Sequence, residues 1–258
     1  MEKHSERGNH KPASPAADYS RGEHAMPSGL SLAANGLRFV PAETWFELGV
    51  PATWTFEIID DNGDIVTVFE DSHGELAHLI LVRRDLTEFQ HLHPTLETDG
   101  TWRIENLEFS EPGVYRVFVD IVVDSRPTTL GHDVFVPGEM PAKTRPAASR
   151  QAQSQNYRIE LRTDEIAAGE HTQLMFDIRD DDERVPQLKP YLGAFGHLVA
   201  LRDGDLAYLH IHPEETDPES GRVEFGAQFP TPGRYRLFLQ AKPDGNLITS
   251  SFDIEIDR

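Results

Sequence analysis

The chain has 258 residues, 38% hydrophobic and 26% charged, with 44 acidic against 24 basic side chains and a formal charge of −20. A surface this acidic repels phosphate backbones and anionic lipid, which excludes nucleic acid as a partner. The absence of cysteine excludes disulfides, thiolate metal sites and cysteine nucleophiles, and no apolar run is long enough for direct membrane insertion.

Residues 1–34 carry His4, His10 and His24 among Ser, Pro, Lys and Glu with few large apolar side chains, and read as a disordered polar tail. The stretch before Met26 is too polar for a signal peptide, so a cytoplasmic location stays open. From about residue 35, short apolar runs alternate with turn residues. They predict strands at Leu37–Val40, Ala52–Ile59, His78–Arg83, Phe89–His93, Thr101–Phe109, Val114–Val123 and Leu130–Val136, forming a first domain over 35–138.

Residues 139–155, rich in Pro, Ala, Ser and Gln, read as a linker. A second domain over 156–258 repeats the order with Tyr157–Leu161, Thr172–Ile178, His197–Arg202, Ala207–His212, Arg222–Phe229, Arg234–Gln240 and Ile248–Ile256. No window sustains a helical period. The expected fold is therefore all-β: two tandem immunoglobulin-like or cupredoxin-like β-sandwich domains of about seven strands each. Nothing in the linker fixes how the two are oriented.

The duplication is written most plainly in histidine. His78, His91 and His93 return as His197, His210 and His212, and the separation is 119 residues in each case. Near the end of each half, Pro112-Gly113-Val114-Tyr115-Arg116 returns as Pro232-Gly233-Arg234-Tyr235-Arg236. A Pro-Gly turn feeding a strand that opens on tyrosine resembles the tyrosine corner of immunoglobulin-like sandwiches, and Tyr115 and Tyr235 read as structural.

Two imidazoles one residue apart share a strand face, and a hairpin can bring a third opposite them. With turns centred near residues 85 and 204, cross-strand partners sum to about 170 and about 408, so one residue of register decides whether the faces coincide. Three convergent imidazoles suit zinc or copper, with His73 as an additional candidate in the first half. Copper(I) suits the pattern less well, because no methionine lies in either hairpin. Binding requires neutral imidazole and should fail below the histidine pKa. The same residues also fit a structural brace, each donating one ring N–H to a carbonyl, with Pro94 and Pro213 ending the ladder. The acidic turns at Asp60-Asp61 and Asp180-Asp181-Asp182 read as solvated Asx turns.

The strings HLILVRRDLTEFQHLHPTLETDGTW and PYLGAFGHLVALRDGDLAYLHIHP, each followed by P-G-x-Y-R-x-F, resemble tandem β-sandwich proteins of actinobacteria, secreted or anchored at the membrane. That resemblance covers about residues 37 to 258. It implies an extracytoplasmic, cell-envelope location and an association with copper or other heavy-metal handling. Its histidine pattern covers His73, His78, His91, His93, His197, His210 and His212.

The reading that follows is a non-enzymatic protein that sequesters or passes on copper or zinc, with one histidine site on a hairpin of each domain. Its partners would be the metal ion and another envelope protein. An adhesion or assembly module with bracing histidines is the alternative. A metal-dependent hydrolase would need a base near the ion, for which Glu88 and Glu214 are the nearest in sequence.

Overall fold

The computed structural model describes residues 28–72, 74–140, 146–211, 213–214 and 216–258, with the backbone alone at position 210. Among these residues every regular element is a β-strand. In the first domain these are β1 (Ala33–Ala34), β2 (Leu37–Pro41), β3 (Ala52–Asp60), β4 (Ala77–Arg83), β5 (Gln90–Leu92), β6 (Thr95–Leu96), β7 (Trp102–Leu107), β8 (Gly113–Val123) and β9 (Arg126–Val136). The second holds β10 (Gln151–Ser154), β11 (Tyr157–Arg162), β12 (His171–Asp180), β13 (Gly196–Arg202), β14 (Tyr208–Ile211), β15 (Arg222–Gln228), β16 (Gly233–Ala241) and β17 (Ile248–Ile256).

Each domain is a sandwich of two sheets. The first pairs β1-β2-β3-β7-β6 with β5-β4-β8-β9, and the second pairs β10-β11-β12-β15 with β14-β13-β16-β17. Strands β2, β3, β7 and β6 hold the places of A, B, E and D in an immunoglobulin sandwich, and β4, β8 and β9 those of C, F and G, with β5 as an added C′ strand. The expected fold class is therefore met, in its immunoglobulin-like form.

The tyrosine corner is present twice. The Tyr115 hydroxyl donates to the Glu111 carbonyl at 2.7 Å, and that of Tyr235 to the Thr231 carbonyl at 3.0 Å. Each ties the loop before strand F to the strand itself. Tyr115→Phe should lower stability by about 1 kcal/mol, the usual net worth of such a bond, measured as a shift in urea midpoint at unchanged m-value.

Two boundaries differ from the sequence reading. Residues 28–34 belong to the folded body: Tyr208 N–H donates to the Ser28 carbonyl and Gly131 N–H to the Ser31 carbonyl, so this segment touches both domains. The segment read as linker likewise contains β10, which pairs with β11 from Gln151↔Glu160 to Ser154↔Tyr157. Residues 1–27 of the polar tail and 141–145 of the linker lie outside the described residues.

The domains are docked through their C′CFG sheets. Strand β4 is buried along its whole length, which a half-solvated strand cannot be. Leu79 and Leu81 face the core of their own domain, whereas Ile80 and Val82 join Leu86 and Phe118 against Val199, Leu201, Leu206, Tyr208 and Phe238 of the second. Phe89 stacks on Phe238 with centroids 4.2 Å apart, and Phe118 on Tyr208 at 4.9 Å. Polar groups cross as well: Arg236, paired with Asp253 at 2.6 Å, donates to the Leu86 carbonyl at 2.8 Å.

Both C–C′ turns place a leucine in the left-handed region, Leu86 at φ 63° and Leu206 at φ 61°. A branched residue is costly there. Each is at most 5% exposed within the interdomain cluster, so burial of the side chain offsets the backbone conformation.

Candidate metal centre

The register of the first hairpin decides what its histidines do. Leu79 pairs with Leu92 and Ile80 with His91, so partners sum to 171, one more than the turn position suggests. Register partners leave a sheet on the same side. His91 therefore shares the face of Ile80, and His93 and His78 follow at period two. That face is the one turned toward the second domain.

Three ring nitrogens meet there. His78 Nδ1 lies 3.1 Å from His91 Nε2 and 3.3 Å from His93 Nε2, and the three ligand atoms are mutually within 4.8 Å. Tetrahedral zinc with Zn–N of about 2.0–2.1 Å spaces its nitrogens about 3.3 Å apart, so these separations fit the edges of such a shell.

The far nitrogens are also engaged, and they set the tautomers. His78 Nε2 lies 2.9 Å from the Ser72 carbonyl, which can only accept, so the proton of neutral His78 is on Nε2 and Nδ1 holds a lone pair. His91 Nδ1 lies 2.7 Å from Gln240 Oε1, and Gln240 Nε2 in turn donates to Thr249 Oγ1 at 3.2 Å. That chain leaves His91 Nε2 with its lone pair facing His78. Both lone pairs are thus directed into the histidine group, 3.1 Å apart. A cation resolves this arrangement, and the outer bonds to carbonyl and amide are the supports that orient ligating imidazoles.

The electrostatics favour the ligand form. Burial, followed by the neighbouring His93, brings the His91 pKa down to about 2, and burial together with His197 brings His93 to about 4. Both rings stay neutral well below the ordinary histidine range.

The second domain meets the same place. His197 is 3% exposed, with Nε2 2.8 Å from the Tyr191 carbonyl, the counterpart of the His78–Ser72 contact. Its ring centroid is 5.8 Å from that of His91 and 6.3 Å from that of His78. The two hairpins predicted as separate sites therefore face each other across the interface. His73, His212 and the side chain of His210 lie outside the described residues, although the backbone of His210 pairs with Val199 in β14.

Sequence reasoning missed Gln240, which reaches the first-domain hairpin from β16. Its only trace was the apolar character of β4 and β13 on both faces, which signals burial on two sides. The acids nearest in sequence are directed elsewhere: Glu88 accepts from Ser110 Oγ at 2.7 Å and Glu214 from Gln173 Nε2 at 3.1 Å. His132 is engaged within its own strand, its Nδ1–H donating to the Asp133 carbonyl at 2.7 Å.

Fold and site together define a tandem immunoglobulin-like protein whose interdomain face carries a cluster of buried and half-buried histidines. The chain belongs to the family described as Domain of unknown function (DUF8832), matched twice in tandem over residues 33–138 and 152–258. No curated protein sequence matches it. Among solved structures it is similar to FdeC, an adhesin of Escherichia coli, with 13% identity and a TM-score of 0.30 over 88% of this chain and 66% of that one. InvD of Yersinia pseudotuberculosis gives 12% identity and a TM-score of 0.29 over 87% and 58%. For the native α2-macroglobulin of Escherichia coli the values are 10% and 0.30 over 89% and 15%. The chain thus spans less than two thirds of each of these chains, and the fold assignment rests on its own strand order.

Proposed function

We propose that the protein is a non-enzymatic binding module that holds one transition-metal ion, zinc or copper(II), at the His78, His91 and His93 group. The observation that carries this reading is the convergence of three imidazole nitrogens at ligand-shell spacing, with the outer nitrogens of His78 and His91 already bonded. All-imidazole coordination suits zinc and copper(II) and leaves copper(I) without a soft ligand. Sequestration or transfer of the ion at the cell envelope, with another envelope protein as partner, extends the family resemblance and is part of the proposal.

The adhesion or assembly reading keeps a specific support. His78 and His197 make the same ring-to-carbonyl contact in both domains, as a duplicated brace would. The two readings part in a titration of untagged protein with zinc and copper(II) at pH 7. The metal centre predicts one tightly bound ion per chain and at least a hundredfold weaker binding in the His91→Ala/His93→Ala variant. Bracing predicts a lowered melting temperature in that variant and no specific binding by either protein, which would sink the metal reading.

A further inference from the structure

The second domain brings two side chains to the histidine group. Gln240 holds the His91 ring by its Nδ1, at 2.7 Å. His197 pairs with Gln240 in the β13–β16 register, so both leave the sheet on the side that faces the first domain. The His197 Nε2 contact with the Tyr191 carbonyl places the proton on Nε2 and the lone pair on Nδ1, as in His78. His197 also lies close enough to act electrostatically on both His91 and His93.

We propose that His197 is the fourth ligand of the ion and that the metal acts as a staple between the two domains. This rests on the metal reading above and goes beyond it by assigning a ligand and a consequence. Three nitrogens from one hairpin make an open shell, and structural zinc sites are closed with four. Here the closing ligand comes from a different domain, and so does the side chain that orients His91. An ion that binds the docked arrangement more tightly than the three-histidine hairpin alone stabilises docking by the difference between the two binding free energies. The apolar contact between Ile80, Val82 and Phe118 and the second domain holds His197 beside the group of three, outside their mutual 4.8 Å spacing, and His197 closes onto the ion as it binds. Metal supply would thereby control the rigidity of the tandem.

Amide hydrogen exchange of the full chain, with chelator and with one equivalent of zinc, tests this. Zinc should slow exchange in β13 and β16 as well as in β4 and β5. His197→Gln keeps a donor for the Tyr191 carbonyl but has no imidazole. In that variant the zinc Kd should rise ten- to a hundredfold or more, and the second-domain protection should disappear while that of β4 and β5 persists. Zinc protection confined to β4 and β5 in the unaltered protein, or a His197→Gln affinity within twofold of it, would overturn the staple and leave the three-histidine site standing. Failure of the unaltered protein to bind zinc at all would overturn both.

Discussion

In the presence of chelator, acidification from pH 6.5 to 4.5 should cost the folded protein about 2 kcal/mol through His91 alone, the slope rising from half of about 1.4 kcal/mol per pH unit at the unfolded pKa to nearly the whole of it below. Burial first, and His93 second, bring the folded-state pKa of His91 to about 2, while the unfolded chain titrates near 6.5. Above pH 6.5 both states hold a neutral ring and the contribution of the site is fully present. Below it the unfolded state binds a proton that the folded state refuses, so stability falls with pH until the folded pKa is reached. His93, brought to about 4, adds a smaller loss over the upper part of the same window because it is partly open to solvent.

Carboxylates contribute mainly below that window. Asp205, for example, is held under its ordinary range by the hydrogen bond from Arg202, so its stabilisation is lost only as pH drops through that lowered pKa. Urea unfolding at half-unit pH steps would show a near-linear fall from pH 6.5, and His91→Gln should flatten most of it. A profile that stays level down to pH 5 would mean that the histidines are hydrated and that the site is not the closed one described here. Saturating zinc should oppose the fall, because the ion binds the same neutral rings that acid would protonate in the unfolded chain.

Much of this architecture was legible in the sequence. The alternation of apolar residues in β3, β8 and β17 locates buried faces directly, and the Pro-Gly-x-Tyr-Arg repeat fixes strand F of each domain and its tyrosine corner. Short elements escaped. The two-residue strands β1 and β6 have no periodicity to detect, and β10 is a polar edge strand, QAQS, whose pairing depends on β11 rather than on its own composition.

The candidate site was legible in its ligands and not in its assembly. His78, His91 and His93 follow from period-two spacing and one hairpin, but the register needed to put them on one face differed by one residue from the turn-centred estimate. The approach of His197 and Gln240 is a tertiary event. It depends on two sheet faces meeting, and the sequence records that meeting as isoleucine, valine and phenylalanine at positions that a solvated sheet would fill with polar residues. Ile80, Val82 and Phe118 on one side, and Val199 and Phe238 on the other, carry that record.

Those residues also locate a large stability effect expected from a single truncation. Phe118 is fully buried, and its register partner is Ile80, so its ring projects toward the second domain and stacks on Tyr208 at 4.9 Å. Its neighbours Val117 and Val119 face the core of their own domain and are unaffected by its removal. Phe118→Ala should therefore remove about 3 kcal/mol or more from docking while leaving each sandwich able to fold. The chain offers its own reporter, because its three tryptophans, Trp45, Trp54 and Trp102, all lie in the first domain. Tryptophan fluorescence follows that domain alone, and far-ultraviolet circular dichroism follows both. In the unaltered protein, docking should make the two urea transitions coincide; in Phe118→Ala they should separate. Zinc affinity should fall in the same variant although no ligand has been touched, since the energy needed to bring His197 and Gln240 to the first-domain hairpin would then come from the ion. Coincident transitions and unchanged affinity in Phe118→Ala would show that the interdomain cluster contributes little to docking, and would remove the physical basis for a site assembled across it.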